Sequence, residues 1–191
     1  MSSIKIIAGK LKGRPIPFSN KMFDNADITP QKVKGAIFSI IGERLEGKGF
    51  LDLFAGCGQI GIEALSRGAN PVVLNENDRK RYNFIKSFLD KLHLAQPPLL
   101  LNLNHLEALD LLKSQTIAIN YIFLDPPYHK INQGVTHFRQ IMEKIGDCGI
   151  LMRGGEIIIQ HYSGNILDDE VGPFHMKTTK RYGKTSLSVF G

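Results

Sequence analysis

Phe50-Leu51-Asp52-Leu53-Phe54-Ala55-Gly56-Cys57-Gly58-Gln59-Ile60-Gly61 is the stretch on which the reading of this chain turns. Phe50 to Phe54 is a short apolar run of strand type, and Ile60 to Ser66 reads as a helix ended by Gly68. Between them stands G-x-G-x-x-G, formed by Gly56, Gly58 and Gly61. Glycines there let the backbone turn tightly and come close to a ligand at a helix N-terminus. Alone the pattern is weak; the strand before it and the helix after it give it weight.

Outward from this loop the same alternation continues. Pro71–Leu74, Leu99–Leu101, Tyr121–Leu124 and Glu156–Gln160 read as strands, with helices at Arg79–Leu92, Leu106–Leu112 and Phe138–Ile145. Apolar strands alternating with helices predict an α/β fold whose parallel sheet is covered on both faces. Met176–Phe190 has Gly183 between two β-type runs, which predicts an antiparallel hairpin closing the sheet edge. Upstream, Ile4–Ile7 with Gly9, Gly13 and Pro15 predicts a basic β-hairpin, and Asn20–Ile28 a loop. Thr29 is expected to cap the next helix, with Pro30 at its first position and Val33, Ile37, Phe38 and Ile41 on its apolar face. The expected division is a hairpin extension over 1–28 and a main domain over 29–191.

Composition bounds the alternatives. The chain has 191 residues, 42% of them hydrophobic, enough for one domain with a core and too many for disorder. Cys57 and Cys148 allow one disulfide at most and no Cys-rich zinc site, so no metal is expected. Cys57 and Cys148 are read as packing residues. The apolar runs fall far short of the ~18 residues that cross a bilayer, and Met1–Lys5 lacks a signal-peptide run. A soluble, cytoplasmic, monomeric protein with no membrane partner is the expectation. The net charge of +6 is uneven: residues 1–34 hold seven Lys/Arg against two Asp/Glu, and His175–Gly191 holds four against none. Basic ends on a mildly acidic body suit a surface that binds phosphates.

The residues around the loop narrow the ligand. Glu76, at the end of the next strand, can accept both hydrogen bonds of a ribose diol. A pyrophosphate would be poorly placed beside Asp52, whereas the sulfonium and ammonium of S-adenosylmethionine would be favoured there. The Asp52-x-Phe54-x-Gly56-x-Gly58 spacing resembles that of S-adenosylmethionine-dependent methyltransferases. Asn104, after the third strand of the alternation, falls where such enzymes place an Asp or Asn near the adenine amine. The strand ending Phe123-Leu124 exits into Asp125-Pro126-Pro127-Tyr128. Two prolines force the chain out of the strand and fix the Asp125 carboxylate and Pro126 carbonyl as acceptors for one exocyclic amine. Tyr128 can stack on a flat base. The tetrapeptide resembles that of enzymes methylating adenine N6, cytosine N4 or guanine N2. The chemistry expected is an in-line attack of the amine on the sulfonium methyl, driven by positioning and electrostatics.

Over nearly the whole chain the motifs resemble those of RsmD-type 16S rRNA guanine-N2 methyltransferases. They are Ile6-Ile7-Ala8-Gly9-Lys10-Leu11-Lys12-Gly13-Arg14, Thr29–Phe38, Leu51–Leu65, Phe123–Tyr128 and Arg181-Tyr182-Gly183-Lys184, in that order. The resemblance implies a Rossmann-like class I fold, with a seven-stranded, mostly parallel sheet and an N-terminal basic hairpin. It implies methylation of one guanine in 16S rRNA, within an assembled or partly assembled 30S subunit. By position, Asp52, Phe54, Gly56, Gly58, Glu76 and Asn104 would contact the cofactor, and Asp125, Pro126, Pro127 and Tyr128 the target base. Lys5, Lys10, Lys12, Arg14, Lys180, Arg181 and Lys184 are the candidate phosphate contacts. The family's Arg-Pro-Thr before its first helix is replaced here by Asp27-Ile28-Thr29-Pro30, so Lys32 or Lys34 is expected to supply the missing base. A DNA adenine or cytosine methyltransferase, an NAD-dependent dehydrogenase and a non-catalytic RNA-binding assembly factor remain as alternatives.

Overall fold

A computed structural model describes residues 4–18, 28–126 and 133–191, with only the backbone described at 133–136. Five strands run parallel: β3 (Phe50–Asp52), β4 (Val72–Asn75), β5 (Leu99–Leu101), β6 (Ile119–Leu124) and β7 (Leu151–Tyr162). Two strands of the C-terminal hairpin follow, β9 (Phe174–Tyr182) and β10 (Thr185–Phe190). β10 inserts antiparallel between β7 and β9. The sheet order is β5-β4-β3-β6-β7-β10-β9, and the two-residue β8 (Glu170–Val171) adds an eighth strand at the edge. The seven expected strands are therefore all present, and the extra one is too short to carry a sequence signal.

Each inner strand alternates side chains between two cores. Phe50, Val72, Leu74, Phe123 and Ile158 face α1 (Gln31–Ile41), α2 (Gln59–Ser66) and α3 (Arg79–Asp90). Leu51, Val73, Ile122, Leu124, Ile157 and Ile159 face α4 (His105–Ser114) and α5 (Gln133–Cys148). With both faces buried, these strands show no polar alternation, as a parallel sheet demands. The chain steps from β3 outward to β5, then returns to place β6 on the other side of β3. That reversal opens a crevice at the carboxyl ends of β3 and β6, where α/β folds bind ligands.

The N-terminal hairpin, β1 (Ile4–Lys5) with β2 (Pro15–Ile16), lies on the α1 and α2 face. Ile6 and Ile16 are buried in that core, and Phe18 meets Phe84 edge-on at 5.6 Å. A buried carboxylate fastens the hairpin. Glu63 of α2 accepts from the backbone N–H of Ile7 at 2.8 Å and of Ala8 at 3.0 Å. It also pairs with Lys34 Nζ at 3.2 Å and Arg67 Nε at 3.0 Å. Gly9 then passes so close to α2 that an added Cβ would lie 1.8 Å from the Ser66 carbonyl oxygen. The close approach explains the glycine at position 9, and burial explains Ile6, while the two backbone donors between them meet one carboxylate.

Candidate active site

The crevice is built from four strand ends. After β3 the chain turns through Gly56 and Gly58, both at positive φ (58° and 78°), and Gly58 caps α2. The loop is clamped from β4: Glu76 accepts from Gly56 N–H at 2.7 Å and from Asp78 N–H at 2.8 Å. Asn75 donates to the Leu53 carbonyl at 3.1 Å, and Asn102 donates to the carbonyls of Glu76 (2.8 Å) and Asn77 (2.9 Å). Neither asparagine was singled out from sequence, because each acts on backbone far away in the chain.

Asp52 ends β3 and is 1% exposed. Its Oδ2 accepts from Gly61 N–H in the first turn of α2 at 2.9 Å, satisfying one of that helix's open donors. Its Oδ1 is buried with no hydrogen-bond partner among the described residues. Burial pushes the carboxyl up to about 7, and the charges of Asp125 and Glu76 push the same way against the Gly61 bond. A buried carboxylate with one open oxygen fits a ligand carrying a positive group. Glu76 is raised too, by burial foremost, and each of its oxygens keeps acceptor capacity beyond its one backbone bond. Cys57, beside them, is buried and its thiol is pushed up to about 11, mainly by desolvation, which fits a packing role.

Phe54 sits in a ring cluster, 5.4 Å from His105 and 6.5 Å from His137. Burial holds both imidazoles below the ordinary histidine range. Asn104 is the N-cap of α4 in a full capping box: its Oδ1 accepts from the N–H of Leu106 and of Glu107, both at 3.0 Å. Its oxygen is thus engaged in the helix start, and any adenine contact by Asn104 would have to share it.

Asp125 follows the last residue of β6, and Gln160 stands near the carboxyl end of the adjacent β7. Gln160 Nε2 donates to Asp125 Oδ2 at 2.7 Å. Thr29 was expected to cap α1, but the helix begins at Gln31 with no side-chain cap. The hydroxyl of Thr29 instead lies 3.4 Å from Asp125 Oδ2 and 3.4 Å from Gln160 Nε2. Gln59 Nε2 holds the Thr29 carbonyl at 3.2 Å, tying the start of α1 to the glycine loop. Pro126 is buried. Pro127 and Tyr128 lie outside the described residues, as does Asp27.

The basic candidates fall into three groups. Lys5, Lys10, Lys12 and Arg14 are exposed on the hairpin, and Lys32 on α1. Lys180, Arg181 and Lys184 are exposed on β9 and the turn to β10. Because Thr185 pairs with Tyr162, that turn sits at the same sheet edge as Asp125. Lys10 N–H bonds to the carbonyl of Ser66, the last residue of α2, so the hairpin tip is about 12 Å of helix away from the glycine loop. Lys34 is a correction. Its ammonium is 1% exposed, donates to the Lys5 carbonyl at 2.6 Å and pairs with Glu63, so it holds the hairpin and does not face solvent.

An open, mostly parallel sheet with a glycine loop after its first inner strand, an acid ending the next and Asp-Pro at the reversal defines a Rossmann-like class I methyltransferase fold. The chain belongs to the family described as "Conserved hypothetical protein 95", whose model matches residues 4–191. It is 31% identical to "Putative rRNA methyltransferase YlbH" of Bacillus subtilis over 98% of both chains. It is 34% identical to "Ribosomal RNA small subunit methyltransferase D" of Buchnera aphidicola, over 68% of this chain and 65% of that protein. Among solved structures it matches "Putative methyltransferase yhhF from Escherichia coli" with a TM-score of 0.80 and 25% identity, over 99% of this chain and 97% of that one. The resemblance to RsmD-type enzymes read from the motifs is thereby borne out at the level of family.

Proposed function

We propose that this chain is an S-adenosyl-L-methionine-dependent methyltransferase acting on the exocyclic N2 amine of one guanine in 16S rRNA, within the small ribosomal subunit. The observation that carries the chemistry is the Asp125 carboxylate, fixed by Gln160 at 2.7 Å at the sheet's reversal point. The names of the relatives support ribosomal RNA as the substrate.

When bound, S-adenosyl-L-methionine supplies an electrophilic methyl group on a sulfonium. The chain's residues do the rest. Asp52 offers its open Oδ1 to the ammonium, and Glu76 offers acceptors to the ribose diol. Asp125 and the Pro126 carbonyl accept the two amine hydrogens of the target base. That pairing orients the amine and turns its lone pair out of the ring system toward the methyl. Asp125 stands beside the amine as the place for the proton that leaves once the N–C bond has formed.

A transfer assay with tritiated S-adenosyl-L-methionine tests the substrate class. Small subunits from a strain lacking this activity, naked 16S rRNA and duplex DNA are offered in parallel. Label in the ribosomal RNA is expected. Label in DNA alone would overturn the proposal, and binding of the methyl donor without transfer to any of them would favour an assembly factor.

A further inference from the structure

Three buried side-chain oxygens lack a hydrogen-bond partner among the described residues: Asp52 Oδ1, Gln160 Oε1 and Asn165 Oδ1. The first belongs to the cofactor side of the crevice. The last lies in the loop after β7. Gln160 Oε1 lies next to the catalytic carboxylate, and the function proposed above leaves it unused.

The orientation of the Gln160 amide is dictated by chemistry. Only its NH₂ can donate to the Asp125 carboxylate, 2.7 Å away, so the carbonyl oxygen must point elsewhere. A flipped amide would set acceptor against acceptor. The arrangement thus presents one fixed, buried acceptor beside the carboxylate that holds the amine. A buried acceptor is costly while unpaired, so this one awaits a donor.

We infer that Gln160 accepts the N1–H of the target guanine and sets the preference for guanine over other amino bases. The inference rests on the guanine-N2 reading and deepens it. In guanine the exocyclic amine lies between two ring nitrogens, N1, which carries a hydrogen, and N3, which does not, and only the N1 side can donate. In adenine (N1, beside the N6 amine) and cytosine (N3, beside the N4 amine) the ring nitrogen next to the amine is a bare acceptor. A base giving its amine to Asp125 brings the adjacent ring nitrogen toward the Gln160 amide. The Gln160 NH₂ is already committed to Asp125, so a ring N–H is paired and a ring lone pair is repelled. Asp125 therefore works twice, holding the amine and fixing the amide that reads its neighbour. Sites built around one such hydrogen bond reject analogues that lack it strongly, because the buried group is left unpaired.

The test uses 16S rRNA carrying either guanine or 2-aminopurine at the methylated position, reconstituted into small subunits. 2-Aminopurine keeps the N2 amine and lacks the N1–H. The wild-type enzyme is expected to favour guanine by about 100-fold or more in kcat/KM. Gln160→Leu is expected to lower transfer to both bases, since it also releases Asp125, but to cost guanine far more, so that the two bases come within about fivefold of each other. A variant that loses activity on both bases in parallel would show that Gln160 only holds Asp125, and would overturn the inference. Should Gln160→Leu not fold, Gln160→Met, of similar length and without the amide, carries the same expectation. Equal transfer to both bases by the wild type would sink the inference alone. No transfer to guanine by the wild type would sink the guanine-N2 reading beneath it.

Discussion

Two buried carboxylates, Asp52 and Glu63, and the half-buried Asp125 bear most of the fold's anchoring and the proposed chemistry. Asp52 has a folded pKa of about 7, above its ordinary 3.8. A carboxyl raised on folding contributes stability fully present below the unfolded pKa and lost as pH rises through the folded value. Ligand-free protein is therefore expected to lose stability between about pH 4 and pH 7 on account of this group. Denaturant titrations across that range would show it, with a smaller slope in Asp52→Asn. A cationic methyl donor favours the ionised form, so its affinity should rise as pH passes through 7 in wild type and stay flat in Asp52→Asn, read by calorimetry. A slope unchanged by the substitution would contradict both. Asp52 and Asp125 were legible from sequence because each adjoins a local motif. Glu63, Thr29 and Gln160 were not, since their partners stand 56, 96 and 35 positions away.

Elements show how the hairpin and tail are held. Removing Glu63 would strand the Lys34 ammonium, the Arg67 guanidinium and two backbone donors in the core. Breaking such a buried pair costs about 3–5 kcal/mol, so Glu63→Ala should lower Tm by roughly 10 °C for a chain of this size. A scanning-calorimetry shift within about 2 °C would show that the network contributes little. The exposed hairpin bases act on the substrate and not on the fold. Neutralising Lys10, Lys12 and Arg14 together should weaken RNA binding and flatten the slope of affinity against salt by roughly two to three units. An unchanged slope would mean that the RNA does not touch this tip. The hairpin was visible in sequence from its glycines and prolines, and the strand-Gly-strand pattern around Gly183 gave the tail. The inward place of Lys34 was hidden, because a lysine on a helix gives no local sign that a glutamate from another helix lies beside it.

At the scale of the whole molecule, the sheet order β5-β4-β3-β6-β7-β10-β9 puts the glycine loop and Asp125 on either side of one reversal. The alternation of apolar strands and helices made this architecture readable. The sequence understated β7, which runs over Leu151–Tyr162, because its exposed first residues (Met152, Arg153, Gly154) look like a loop. A fold of this class with acids at Asp52 and Glu76 should take an adenosyl amino acid and refuse a dinucleotide. S-adenosylhomocysteine at about 100 times its Kd should add about 2.7 kcal/mol, and raise Tm by roughly 5–10 °C, while NADH leaves it unmoved. The reverse pattern would return the chain to the dehydrogenases. The most direct test of the central claim is the identity of the methylated nucleoside. After transfer by wild-type enzyme, 16S rRNA is digested to nucleosides and separated by mass spectrometry, with Asp125→Ala as the control. N2-methylguanosine should appear with wild type and fall by about 100-fold or more with the variant, while both proteins bind S-adenosylhomocysteine. Methyl on any other atom, or undiminished product from Asp125→Ala, would contradict the account.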